Sequence, residues 1–193
     1  MATLSAPTRV RRVRAIAITM GVALIGFVAF AVVQAQQGRA GSFPAVPAPT
    51  RLAAGARAPG FRASRLGGGA PVVFDGRSSR PTVVNFFASW CSDCVAELHA
   101  FATAARSAGP VRFVGLDTLD PSPTAAARLL RRAGITYPVG IDRSGSIAGR
   151  YLVAALPVTF FVSPSGVVRG EIVGRASTAT LRHWIGVLAG PAR

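Results

Sequence analysis

The chain has 193 residues and a formal net charge of +15 at pH 7, with 22 basic residues, all arginine, against seven acids. That length fits one domain with accessory segments. The arginines are scattered, grouping only at Arg9–Arg14 and Arg128–Arg132. No nucleic-acid motif accompanies them, so a solvated basic surface is expected and no nucleic-acid partner.

Residues 1–14 read as a cytoplasmic basic segment carrying Arg9, Arg11, Arg12 and Arg14. Residues 15–33 are 19 uncharged, apolar residues, long enough as a helix to cross a hydrocarbon core of about 30 Å. The positive-inside rule keeps the arginines in the cytoplasm and places the rest of the chain outside, so the expected location is the cell membrane, spanned once. A cleaved signal peptide is the rival, with Val33-Gln34-Ala35 as a passable cleavage site, but the run exceeds the usual signal core. Either reading delivers the domain to an oxidising compartment. Residues 34–58, rich in Gly, Ala and Pro and lacking a hydrophobic period, read as a semi-extended tether.

The domain is expected over residues 59–190. Pro71–Phe74 looks like a short strand and Asp75-Gly76 like a turn. Thr82–Phe87 (T-V-V-N-F-F) has the β-branched and aromatic make-up of a strand covered on both faces. Ala88, Ser89 and Trp90 break that run, and a helix follows from Ser92 or Asp93 to about Arg106. Val111–Leu116 is a second buried strand. Pro121–Ala133 is a helix ended by Gly134, with Leu129 and Leu130 on its buried face, and Ile135–Ile141 is extended. Ser146–Val153 can make a helical turn. Leu156–Val162 is a strand, Ser163–Gly166 a hairpin turn, and Val167–Val173 its partner. Ser177–Leu188 is an amphipathic helix with Leu181, Trp184, Ile185 and Leu188 on one stripe. This order implies an α/β fold, a mixed sheet with helices on both faces.

Cys91 and Cys94 therefore sit at the amino end of a helix. Unpaired backbone N–H groups and the helix dipole there stabilise a thiolate. A C-x-x-C pair in that setting suits redox exchange, with Cys91 as nucleophile and Cys94 one turn later to resolve a mixed disulfide. An inert structural disulfide gains little from closing so short a loop. A structural zinc site wants four ligands, and the chain has two Cys and two distant His, so neither metal nor cofactor is expected. The competing use of the same thiols is a redox-sensing module without turnover, or a Cu(I) carrier with a His completing the site.

V-V-N-F-F-A-S-W-C-S-D-C-V-A-E-L, V-G-L-D at Val114–Asp117, G-I-T-Y-P-V at Gly134–Val139 and L-P-V-T-F-F-V-S-P-S-G at Leu156–Gly166 follow one another in order. In that combination the chain resembles the membrane-tethered, extracytoplasmic thioredoxin-like family called TlpA/ResA/DsbE, from about Ala58 to Leu188. The resemblance implies a thioredoxin fold behind an amino-terminal transmembrane helix. It implies a thiol-disulfide oxidoreductase, expected to work as a disulfide reductase. It implies a cis Leu156–Pro157 bond facing the dithiol, beside which a substrate peptide can pair as an added strand. Substrates would be exported proteins with disulfides, apocytochrome c among them, and electrons would come from a membrane thiol–disulfide donor. The direction of electron flow stays open.

Asn85 stands where ordinary thioredoxins resemble one another in a buried proton-accepting Asp. Glu97 matches an acid typical of the TlpA/ResA group and is expected either to assist deprotonation of Cys94, to shape the substrate cleft, or to be a solvated helix charge. Asp93 replaces a proline common in the family; its charge opposes a nearby thiolate and raises the thiol pKa, or it is simply a first-turn Asp. Trp90 is expected to shield the disulfide and to offer substrate an apolar contact. His99 and His183 are expected at the surface or partly packed.

Overall fold

The computed structural model describes residues 52–190. The expected cytoplasmic segment, the expected anchor and most of the expected tether lie outside the described residues. Among the described residues no helix is long and apolar enough to cross a membrane.

Seven strands make one mixed sheet: β1 (Phe61–Arg65), β2 (Val72–Phe74), β3 (Thr82–Phe87), β4 (Arg112–Thr118), β5 (Val139–Asp142), β6 (Val158–Val162) and β7 (Val168–Val173). Their order is β2-β1-β5-β4-β3-β6-β7. β3, β4 and β5 are parallel, and the remaining neighbours are antiparallel. β3 lies between β4 and β6, and all six of its residues are buried, as its unbroken apolar run requires.

Among the described residues four helices cover the sheet: α1 (Ser92–Arg106), α2 (Pro123–Ala133), α3 (Ser146–Arg150) and α4 (Thr178–Ala189). α2 starts where Ser122 Oγ accepts from Ala125 N and ends at Gly134, whose φ of 72° only a glycine adopts freely. Alternation along β3 divides the core. Val84 and Phe86 point into an aromatic cluster with Phe61, Phe74, Tyr151 and Phe160 under α3. Tyr151 closes that cluster by donating its hydroxyl to Pro59 O at 2.7 Å. Val83 and Phe87 point the other way: Val83 packs with Phe101 of α1 and Leu181 and Leu188 of α4, and Phe87 packs with Leu98 of α1 and Leu130 of α2. Each such buried aromatic or leucine contributes roughly 1.5–3 kcal/mol by leaving water.

Three features depart from the sequence reading. Gly55–Ala58, expected within the tether, are stitched to the other end of the domain. Gly55 N donates to Val168 O at 2.8 Å and Ala58 N to Gly166 O at 2.9 Å. Strand β1 was not anticipated, because F-R-A-S-R offers only Phe61 and Ala63 to the core and puts arginines between and after them. β4 runs two residues past Leu116, because Asp117 and Thr118, which look like a polar stop, are buried strand residues.

Candidate active site

The break after β3 turns the chain sharply into α1. Cys91 N donates to Ala88 O at 3.2 Å, and Cys91 itself is the cap of α1. Its Sγ accepts from Cys94 N at 3.2 Å, so the sulfur, and not the side chain of Ser92 or Asp93, fills the capping role. Cys91 and Cys94 are joined in a disulfide. Cys91 is 7% exposed and Cys94 fully buried, so an incoming sulfur meets Cys91 first. When the bond is open, the same N–H and the positive end of α1 favour charge on Cys91 Sγ.

The pair is walled by Phe87, Ala88, Leu98, Leu130 and Val139, with Leu156 packed against the group. Leu156–Pro157 is cis, and Pro157 O accepts from Gly174 N at 2.9 Å at the head of β6. The loop before β6 thus packs, through Leu156, against the group that holds the cysteines. Trp90, expected to shield the disulfide and to offer substrate an apolar contact, lies at the surface. It is 59% exposed, and its indole N–H donates to Leu119 O at 3.2 Å.

Glu97 is not a solvated helix charge. It is 1% exposed, on the buried stripe of α1 that also carries Cys94, Leu98 and Phe101. Oε1 accepts from Asn85 Nδ2 at 3.1 Å and Oε2 from Ala176 N at 2.8 Å. Asn85 Nδ2 also donates to Thr159 Oγ1 at 3.1 Å, while Asn85 Oδ1 meets no donor. Burial pushes the Glu97 carboxyl up to about 7 and the charge of Asp93 adds to the rise, against the pull of the Ala176 and Asn85 hydrogen bonds and of Arg175. A carboxyl that titrates near neutrality, one turn from the resolving cysteine, can take up and return a proton. Asn85, which cannot ionise, orients it instead. The phenol of Tyr137 is buried without a hydrogen-bond partner, and burial and the charge of Glu97 drive its pKa upward. Asp93 is exposed in the first turn of α1. His99 and His183 are exposed, and among the described residues no three His, Cys, Asp or Glu side chains gather as a metal site.

Sequence reasoning did not single out Thr159, Ala176 or the carboxyls of Asp117 and Asp120. Asp120 reaches the active-site turn directly, its carboxylate accepting from Ser89 N. The only hint was the V-G-L-D run, whose Asp ends a stretch of buried strand.

Residues 54–171 match the model of the AhpC/TSA family. The chain belongs to the AhpC/TSA family. Within it, the chain is 33% identical over 111 residues to the thiol:disulfide interchange protein DsbE of Haemophilus influenzae, covering 55% of this chain and 60% of that one. It is 25% identical over 138 residues to the thiol-disulfide oxidoreductase ResA of Bacillus anthracis, covering 70% of this chain and 78% of that one. A secreted Mycobacterium tuberculosis disulfide oxidoreductase, described as homologous to Escherichia coli DsbE, superposes with a TM-score of 0.61 at 25% identity, over 66% of this chain and 96% of that one. With the Cys91–Cys94 pair in place, this family member is a thiol-disulfide oxidoreductase of the ResA/DsbE type.

Proposed function

We propose that the protein is a membrane-tethered disulfide reductase acting on exported proteins outside the cytoplasm, with residues 15–33 as its anchor in the lipid bilayer, residues 34–58 largely as tether and residues 59–190 as the catalytic domain. The observation that carries the chemistry is a helix-capping sulfur, Cys91, joined to Cys94, with the buried carboxyl of Glu97 one turn beyond Cys94. The reduced Cys91 thiolate attacks one sulfur of a substrate disulfide; a Cys91–substrate bond forms, the substrate S–S bond breaks, and the departing thiolate takes a proton. Glu97 accepts the Cys94 proton. Cys94 Sγ then attacks Cys91 Sγ, the mixed disulfide breaks, and the second substrate thiolate leaves with the proton returned. Two electrons pass to the substrate and the Cys91–Cys94 disulfide remains. A membrane thiol–disulfide donor restores the dithiol by the reverse exchange.

The support for a polypeptide substrate is Leu156, just before β6, which packs against the apolar group that holds the cysteines, where an extended chain can add along the loop. Apocytochrome c, whose haem-attachment cysteines must be reduced, is the substrate proposed. Insulin reduction with dithiothreitol tests the turnover, and Cys91→Ser should abolish it. A Cys94→Ser chain should trap a mixed disulfide with the substrate, and identification of the captured protein tests the cytochrome assignment. A reduction potential well below about −200 mV supports a reductant, whereas one near about −120 mV makes it an oxidant. Membrane fractionation and protease accessibility of the full chain test the anchor and its orientation.

A further inference from the structure

Two buried carboxyls beneath the active-site turn take no part in that exchange. Asp117 lies in β4 with none of its surface exposed, and neither of its oxygens meets an N–H or O–H donor. Its polar neighbour is the carboxylate of Asp120. Asp120 is also buried, and each of its oxygens accepts one backbone N–H, which leaves the carboxylate room for a further donor. Oδ2 accepts from Ser89 N at 2.5 Å and Oδ1 from Ser122 N at 2.8 Å. The next residue of the turn, Trp90, donates its indole N–H to Leu119 O at 3.2 Å. Leu119 holds a left-handed φ of 51° between the two aspartates, its side chain against Gly145, where an added Cβ would meet Leu119 Cδ2 at 3.0 Å. The loop after β4 therefore grips the turn carrying Ser89, Trp90 and Cys91 at two points, and Asp120 is one of them.

An ionised Asp117 in this place has no donor to replace water and a second anion at its side, which disfavours the charged form. Two adjacent carboxyls resolve that conflict by sharing one proton. We propose that Asp117 is a positioning residue. In its acid form it donates its O–H to the Asp120 carboxylate, holds that carboxylate against Ser89 N and Ser122 N, and so sets the turn that presents Cys91 and Trp90 to substrate. Loss of the proton puts two anions in contact, and the grip on Ser89 and Trp90 loosens.

The charges that reach Asp117 are those of Asp120, from its own loop, and Arg143, from the turn between β5 and α3. Its register neighbours, Phe87 on β3 and Ile141 on β5, bring none. Burial and then Asp120 hold Asp117 up to about 7, with Arg143 opposing. Asp120 titrates below the usual carboxylate range: burial acts against its ionisation, but the hydrogen bonds from Ser89, Ser122 and Asp117 outweigh it. The switch from gripped to loosened thus falls near neutral pH.

The consequence for catalysis rests on the oxidoreductase reading, but the test below does not need turnover. The full chain, oxidised and in detergent micelles, is labelled with 15N and its indole N–H resonances are followed from about pH 5.5 to about pH 8.5, a range that brackets neutrality. The chain has two tryptophans, and Trp90→Phe identifies the relevant signal. The expected result is a titration step of the Trp90 signal near neutral pH that persists in Glu97→Gln and is absent from Asp117→Asn. Asn keeps a donor towards Asp120 but cannot ionise. A step that survives in Asp117→Asn, a step removed by Glu97→Gln, or no step in the unmodified chain overturns the proposal. Should Asp117→Asn not fold, Asp120→Asn carries the test: the step must move to lower pH, and an unmoved step is refutation. In turnover, the KM for insulin of the unmodified chain relative to Asp117→Asn should rise severalfold from about pH 6 to about pH 8 with kcat little changed; a flat ratio breaks the link between the grip and substrate. Complete loss of exchange activity would sink the oxidoreductase reading while leaving the indole titration to stand or fall alone.

Discussion

Glu97→Gln removes one ionisable group from the interior and leaves a side chain of the same shape. In the folded protein this carboxyl is pushed up from 4.5 to about 7, first by burial. A raised acid binds its proton more tightly in the native than in the unfolded chain. Its favourable contribution is therefore complete below the unfolded value and is lost as pH rises through the folded one. At about 1.4 kcal/mol per unit, with part of the loss already incurred by pH 5, ionisation of Glu97 costs the fold roughly 2–3 kcal/mol between about pH 5 and about pH 8. Gln has no such dependence. Denaturant unfolding of the oxidised full chain and of Glu97→Gln at the two pH values measures the difference. The unmodified protein should lose about 2–3 kcal/mol more than the variant over that interval. Asp117, also raised to about 7, titrates in both proteins and cancels from the comparison. Parallel losses in the two proteins would show that Glu97 ionises at an ordinary pKa, and the case for its carrying a proton near neutrality would end there.

The same substitution should slow insulin reduction, with the deficit largest where Glu97 is normally ionised; rates unchanged across the pH range argue against any proton transfer by Glu97. Asp93→Pro should lower the pKa of the reduced Cys91 thiol, read from its ultraviolet thiolate absorbance against pH, and should lower the Glu97 midpoint, because the Asp93 charge raises it; equal thiol pKa values in the two proteins remove the electrostatic role of Asp93. Gly170→Ala is expected to destabilise the domain by about 1–3 kcal/mol in denaturant, because an added Cβ would lie 2.0 Å from the Trp184 ring that stacks on Phe161. Unchanged stability would mean that α4 can shift away from β7.

The outline of the domain was legible where one property dominates a run. Thr82–Phe87 reads as a doubly covered strand because every residue but Asn85 is β-branched or aromatic, and it is one. Ser122, Pro123 and Gly134 mark the ends of α2 through their own backbone chemistry. The cysteine pair could be placed at a helix start from local composition alone. What stayed hidden depends on partners far along the chain. Glu97 looks like any helix-surface acid until Ala176, 79 residues away, and Asn85 are seen to satisfy its two oxygens. Asp117 and Asp120 look like the polar end of a strand, because no local pattern reports that both are buried or that Ser89 lies above them. β1 escaped notice because its pairing with β2 and β5 supplies what its sequence lacks.

The carboxylate of Glu97 is also a fastener. Its two oxygens hold Asn85 on β3 and the backbone of Ala176 just before α4, so one side chain ties the redox helix to the sheet and to the carboxy-terminal end of the domain. When that group gains a proton, one oxygen becomes a hydroxyl, a poorer acceptor with a hydrogen of its own to place, and one of those two anchors must slacken. The lead-in to the last helix will then feel each proton that comes and goes, which gives the domain a built-in mechanical report of its chemistry at a distance from the sulfurs.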